Sequence, residues 1–89
     1  KAFIGHLLGA AGVIEAVATA LSLMDGEVHG APGGGAIDPA LPVDLVLDHA
    51  RHMQRTDVAL LTSFGSGGAN AGILFRRWEG AGRETSTAA

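Results

Sequence analysis

Three ionisable side chains, Lys1, His6 and Glu15, lie in or beside a stretch that is otherwise apolar or small, KAFIGHLLGAAGVIEAVATALSLM. An imidazole can donate a hydrogen bond to a carbonyl oxygen on which charge develops, and the neutral ring does so without itself gaining a proton. A carboxylate carried into an apolar segment must find a cation or lose its charge. Lys1 is the cation nearest to Glu15 in the sequence. A plainer reading stands beside this one, with His6 a loop histidine satisfied by backbone, Lys1 a solvated end and Glu15 a structural carboxylate. The second group is the run SFGSGGAN, Ser63–Asn70. Its glycines 65, 67 and 68 permit positive φ, and its N–H groups could bind an anion or a developing oxyanion. As a dinucleotide fingerprint it would need glycine at Asn70, and as a nucleophile elbow it would need glycine at Phe64. No Lys-Ser/Thr follows, as a phosphate loop requires, so a plain hairpin turn remains open. The third group, His49 and His52 beside Asp48, lacks the further ligands a metal site needs and reads as a solvated connector.

The elements that must position these residues follow from periodicity. Leu8 to Met24 reads as one buried helix, because Val13, Ile14, Val17, Ala18, Leu21, Leu23 and Met24 cover most of its circumference. Glu15, Thr19 and Ser22, continued by Gly12 and Leu8, form a narrow polar stripe on it. Asp25-Gly26 supplies the stop, with Gly26 in the left-handed position. A membrane span is the rival. Glu15 near the middle would cost roughly 2.5–3.5 kcal/mol on insertion, and the many small residues suit packing in a protein core, so no membrane span is expected. Gly30–Pro42 is a Gly/Pro-rich loop, Val43–Asp48 a short strand, and HARHMQRT a polar connector. Asp57–Phe64 reads as a buried strand, the glycine run as a tight turn and Ala71–Trp78 as the strand returning from it, so the two form a hairpin. From Glu79 the residues are polar and small, a mobile tail. Residues 1–78 thus look like part of a layered α/β core that needs other strands to complete its sheet, and 79–89 like its tail.

Composition narrows the partners. At 89 residues, 47% hydrophobic and 17% charged, the chain can make one small packed domain and is too apolar to be disordered. Its net charge of −3 carries no basic cluster, which argues against nucleic acid and anionic lipid. With no cysteine it holds no disulfide, no thiolate zinc site and no cysteine nucleophile of its own, and a cytoplasmic location fits. It opens at Lys1 without an initiator methionine or a signal-peptide n-region, as a piece of a longer protein would.

Three of these stretches, in this order, resemble the β-ketoacyl-acyl-carrier-protein synthases of the KAS I/KAS II type. Lys-x-x-x-Gly-His-Leu-Leu-Gly-Ala-Ala-Gly, here Lys1 to Gly12, is similar to their signature. Asp44-Leu45-Val46 with Ala50-Arg51 resembles the D-L-V-P-x-x-A-R stretch, and Ser63–Asn70 the S-F-G-F-G-G-T-N turn. The resemblance implies a partial thiolase-like C-terminal half-domain and a decarboxylative condensation of a malonyl unit with an acyl thioester, in fatty acid or polyketide synthesis. It implies that His6 donates to the thioester carbonyl, that Lys1 and Glu15 form the supporting charge network, and that the Ser66 N–H is one donor of an oxyanion hole. Phe64, Gly65, Ser66 and Gly67 would then bind substrate. No metal or cofactor is implied, since the substrates ride on the phosphopantetheine of acyl carrier protein. The implied partners are that carrier protein, the remainder of the synthase chain and, in the full enzyme, a second subunit of a homodimer. The family's cysteine nucleophile is not within these residues, so alone they should condense nothing. Ser66 stands where the family usually has a phenylalanine gating the acyl pocket, and Ala69 replaces the usual threonine. Two alternatives stay open: a non-catalytic companion subunit acting through an interface, and a small hydrolase using Ser66 with His6.

Overall fold

In a computed structural model of the chain, residues 1–33 and 36–78 are described. The expected tail at 79–89 and the glycines at 34 and 35 lie outside them. A turn closed by the Gly5 N–H on the Lys1 carbonyl at 2.7 Å leads through a single 3-10 turn, Leu8–Ala10, into α1, Ala11–Asp25. The expected helix is therefore present, with its first turn wound more tightly. Gly26 ends it at φ 71°, ψ 26°, its N–H bonded to the Ser22 carbonyl at 2.9 Å. This is the left-handed stop that only glycine adopts without cost.

Two small antiparallel ladders follow. The first pairs β1, Glu27–Val28, with β2, Arg51–His52, so a two-residue strand lies inside the stretch expected to be a connector. The second is the expected hairpin, β3, Val58–Phe64, with β4, Asn70–Arg76, in the register Val58↔Arg76 through Phe64↔Asn70. The strand expected over Val43–Asp48 is reduced to one parallel bridge between Leu47 and Ala31, held by the Ala31 N–H on the Val46 carbonyl and the Asp48 N–H on the Ala31 carbonyl. No neighbouring strand among the described residues extends that bridge, and without one a short apolar run cannot propagate a ladder. Gly30 lies so close to the loop that follows this bridge that a Cβ there would stand 2.6 Å from the His49 carbonyl oxygen, so the two backbones meet only because the side chain is absent.

Burial departs most from expectation. Leu23, 6% exposed, is the one buried large hydrophobic among the described residues, so α1 is not a buried helix here, nor β3 a buried strand. The reason is which side faces what. Gly12, Glu15, Ala16, Thr19 and Ser22 are half-buried, on the side of α1 that packs against β3 and β4. Val13, Ile14, Val17, Leu21 and Met24 are exposed. The hairpin repeats this pattern: Ala59, Leu61 and Phe75 are half-buried while Val58, Leu60, Phe64 and Leu74 stand exposed on the opposite face. By length and composition Leu8–Asp25, mean hydropathy 1.4, could also cross a membrane.

Arg77 ties the two layers together. Its Nη2 donates to the carbonyls of Leu23 and Met24, its Nε to Thr56 at 3.4 Å, and its backbone N–H to Asp57 at 2.8 Å. A guanidinium on the last carbonyls of a helix satisfies acceptors that have no partner within the helix and opposes the negative end of its dipole.

Candidate active site

The segment before α1 and the turn of the hairpin meet at one cleft of about 670 Å³. Lys1, His6, Leu8, Gly12 and Glu15 line it from one side, and Thr62, Ser63, Phe64, Gly65 and Ser66 from the other. Every expected site residue except Gly67 is therefore in one place. Gly67 sits at φ 85° in the turn and, with Gly68 at φ 87°, lets the chain reverse.

The histidine is held by its own neighbour. The Leu8 N–H donates to His6 Nδ1 at 2.9 Å. A nitrogen that accepts carries no proton, so the proton of the neutral ring is on Nε2, which is left as the donor. The backbone bends sharply on both sides of the ring: Gly5 is at φ 79° and Leu8 at φ 52°. Leucine in the left-handed region costs roughly 1–2 kcal/mol.

Lys1 Nζ and Glu15 Oε2 are 2.7 Å apart, which joins the start of the chain to the middle of α1. The pair is not buried: the side chains are 48% and 30% exposed. The hydrogen bond from Lys1, reinforced by the charge of the same ammonium group, holds the Glu15 carboxyl below its ordinary pKa against the opposing effect of burial. Thr19 and Ser22, the rest of the polar stripe, spend their hydroxyls on helix carbonyls, those of Glu15 at 2.7 Å and Ala18 at 3.0 Å. The stripe is thus two things, an ion pair at the cleft and two back-bonded hydroxyls beyond it. Phe3 meets the His29 ring edge-on, centroids 6.1 Å apart, which anchors the turn that carries Lys1 to the residue just after β1.

In the glycine turn the Gly65 N–H bonds to the Ala69 carbonyl at 2.6 Å and the Gly68 N–H to the Gly65 carbonyl at 3.3 Å. The Ser66 N–H makes no hydrogen bond among the described residues. A backbone donor left free beside an imidazole donor can stabilise negative charge on a carbonyl oxygen. His6 and Ser66 make no hydrogen bond to each other, and the ring's acceptor is already occupied by Leu8, so the residues lack the base-to-hydroxyl contact of a serine hydrolase. Away from the cleft, Asp44 and Arg51 form a two-pronged pair at 2.5 and 3.1 Å that ties the bridge segment to β2. That pair pulls the Asp44 pKa down and pushes that of Arg51 up. Neither residue reaches the cleft. No group of three or more potential metal ligands converges among the described residues.

Residue reasoning missed Leu8 as the partner of His6 and Arg77 as the cap of α1. The first could not be found from side-chain chemistry, because the donor is backbone. The second had a signal, a basic residue at the far end of the hairpin, but nothing in its spacing to a helix that ends more than fifty residues earlier.

Residues 1–33 match the family described as beta-ketoacyl synthase, C-terminal domain. The chain is 42% identical over 77 residues to 3-oxoacyl-[acyl-carrier-protein] synthase 2 of Vibrio cholerae, a match covering 86% of the chain and 19% of that relative. To the chloroplastic synthase II of Arabidopsis thaliana it is 46% identical over 77 residues, 84% of the chain and 14% of the relative. To synthase 2 of Staphylococcus aureus it is 39% identical over 79 residues, 89% and 19%. The chain therefore spans less than a fifth of the length of these relatives.

Proposed function

The chain belongs to the β-ketoacyl-acyl-carrier-protein synthases as a C-terminal segment, and on that premise we propose that it supplies the decarboxylation half of the site of a 3-oxoacyl-carrier-protein synthase. The observation that carries this is the state of His6: Nδ1 is occupied by a backbone N–H, and Nε2–H is left as a donor in a cleft shared with the free N–H of Ser66.

A malonyl thioester enters with its carbonyl oxygen toward His6 Nε2–H. The bond between the malonyl α-carbon and its carboxylate breaks, carbon dioxide leaves, and the electron pair passes into the enolate, whose oxygen is stabilised by the hydrogen bond from His6. The carbanion attacks an acyl thioester held on a nucleophile supplied by the rest of the synthase. The oxyanion formed there takes a hydrogen bond from Ser66 N–H, and its collapse releases the nucleophile. Lys1 and Glu15 do not touch the reacting atoms; their pair fixes the turn before His6 and sets the field around it. The substrates are read as carrier-protein thioesters, the enzyme as an acyltransferase of fatty acid or polyketide synthesis, thiolase-like, cytoplasmic and dimeric when whole.

The test is His6→Ala in the full-length protein that contains this chain, with carbon dioxide release from malonyl-carrier protein measured directly. Loss of the general order of a hundred-fold or more is expected. Undiminished release would overturn the assignment. Ser66→Phe in the same background should narrow the range of acyl chains accepted, read as relative kcat/KM across chain lengths. An unchanged profile would mean that this position does not gate the acyl site. The companion-subunit reading loses ground because Lys1 and His6, the pair such a subunit could dispense with, are both present.

A further inference from the structure

We propose that Phe3 and His29 are a positioning pair for the turn that carries Lys1 and His6, the second of two ties that keep that turn from pivoting. The inference rests on the reading of His6 as the donor in the cleft. Residues 1–10 are all exposed, so burial within this chain does not hold the turn in place. Its internal bonds, from the Gly5 N–H to the Lys1 carbonyl and from the Leu8 N–H to His6, close it on itself without fixing where it stands. Among the described residues, one ion pair and one ring contact reach from it to the rest of the fold. Lys1 meets Glu15 at 2.7 Å, and Phe3 meets His29 edge to face, the ring planes 71° apart.

The two ties do not duplicate each other. Glu15 is in the middle of α1, whereas His29 lies beyond Gly26, where the chain has turned and β1 packs against the helix. Lys1, Glu15 and His29 border one recess of about 400 Å³, and the same Lys1 and Glu15 line the cleft that holds His6. The turn is thus held at two separate points beside the cleft. A turn tied at one point can pivot about it, and a second tie removes that freedom. The two also differ in their physics: an exposed ion pair is screened by salt, whereas an edge-to-face ring pair is not. The ring pair therefore keeps His6 aimed into the cleft under conditions that weaken the ion pair.

The experiment uses the full-length protein that contains this chain. Carbon dioxide release from malonyl-carrier protein should fall about three- to ten-fold in Phe3→Ala and in His29→Ala, and no further in the double variant, because both remove one contact. His29→Phe, which keeps a ring, should stay within about two-fold of the parent. Salt supplies the sharper readout. In Phe3→Ala the ion pair is the tie that remains, so raising potassium chloride from about 0.05 to about 0.5 M should slow that variant several-fold more than the parent. Adding Glu15→Gln should remove the excess. A contact that served stability alone would lower the melting temperature and leave the rate per folded molecule and its salt dependence unchanged. Amide hydrogen exchange at residues 2–6 reads the freedom of the turn without turnover, and it should quicken in Phe3→Ala. Rates in Phe3→Ala that match the parent at both salt concentrations, or a His29→Phe as slow as His29→Ala, would overturn the proposal. If Phe3→Ala does not fold, the comparison of His29→Phe with His29→Ala carries the same test. Faster exchange in Phe3→Ala, in a protein whose His6→Ala still releases carbon dioxide, would leave the tie intact and sink only the catalytic reading.

Discussion

The two sides of α1 are built on opposite plans. Toward the hairpin it presents glycine, alanine, threonine, serine and one glutamate, all half-buried; away from it, valine, isoleucine, leucine and methionine, exposed. An amphipathic surface helix would do the reverse, burying its large residues and wetting its small and polar ones. Small residues on the inner side let the helix come close enough to β3 for Glu15 to border the cleft. The large residues on the outer side stay exposed to between 40% and 70%. The hairpin shows the same division between its two faces. The cleft is closed within this chain, by two turns far apart in sequence and one ion pair, whereas the core is left unfinished. A chain matching less than a fifth of its relatives can fold its cleft from its own residues and still leave most of its apolar surface to be covered.

That comparison can be broken most sharply at the outer face. In the full-length protein Val17→Asp should destabilise by about 3 kcal/mol or more, because a charge would be forced into an apolar interface. A melting temperature within a degree of the parent would show that the outer face of α1 stays wet and that the division is an illusion. Next in size is Gly30→Ala, where the new methyl would collide with the backbone at His49. A loss of about 1–3 kcal/mol in urea unfolding is expected, and an unaffected midpoint would mean that the two loops are not held at that distance.

A smaller effect is expected on the inner side. Glu15→Ala should lower the melting temperature more than Ser22→Ala does, since the first strands Lys1 and the second removes only a hydroxyl bonded back to its own helix. Equal shifts would show that the ion pair contributes nothing beyond a surface pair. The smallest effect is the pH dependence of that same pair. The Glu15 pKa is depressed in the folded chain, so its stabilising contribution is fully present above the unfolded carboxylate value of about 4.3 and is lost as pH falls through the lower folded value. The gap in melting temperature between the parent and Glu15→Gln should therefore be constant near neutrality and close below about pH 4. A gap that widens in acid would reverse the assigned sign.

Elements with a local cause were legible in the residues. Gly26 as the stop of α1, the hairpin turned at Gly65–Ala69, and the pairing of Lys1 with Glu15 all follow from backbone freedom or from charge. The run Val43–Asp48 did not become a strand, and Arg51–His52 did, because a two-residue ladder depends on which backbone lies alongside and not on its own apolarity. Burial was misread for the same reason. Val17 and Leu60 are apolar enough for a core, but hydrophobicity states a demand for cover and says nothing of what supplies it.

By itself, then, the order of residues determined the long helix, the hairpin and its turn, and which ionisable groups could meet, because these depend on torsional freedom, period and charge within short stretches. Only the tertiary structure decided that the turn before α1 and the turn of the hairpin share one cleft. It alone decided that the small side of the helix faces inward. Those outcomes depend on how elements more than thirty residues apart in sequence pack, and no local preference encodes that distance.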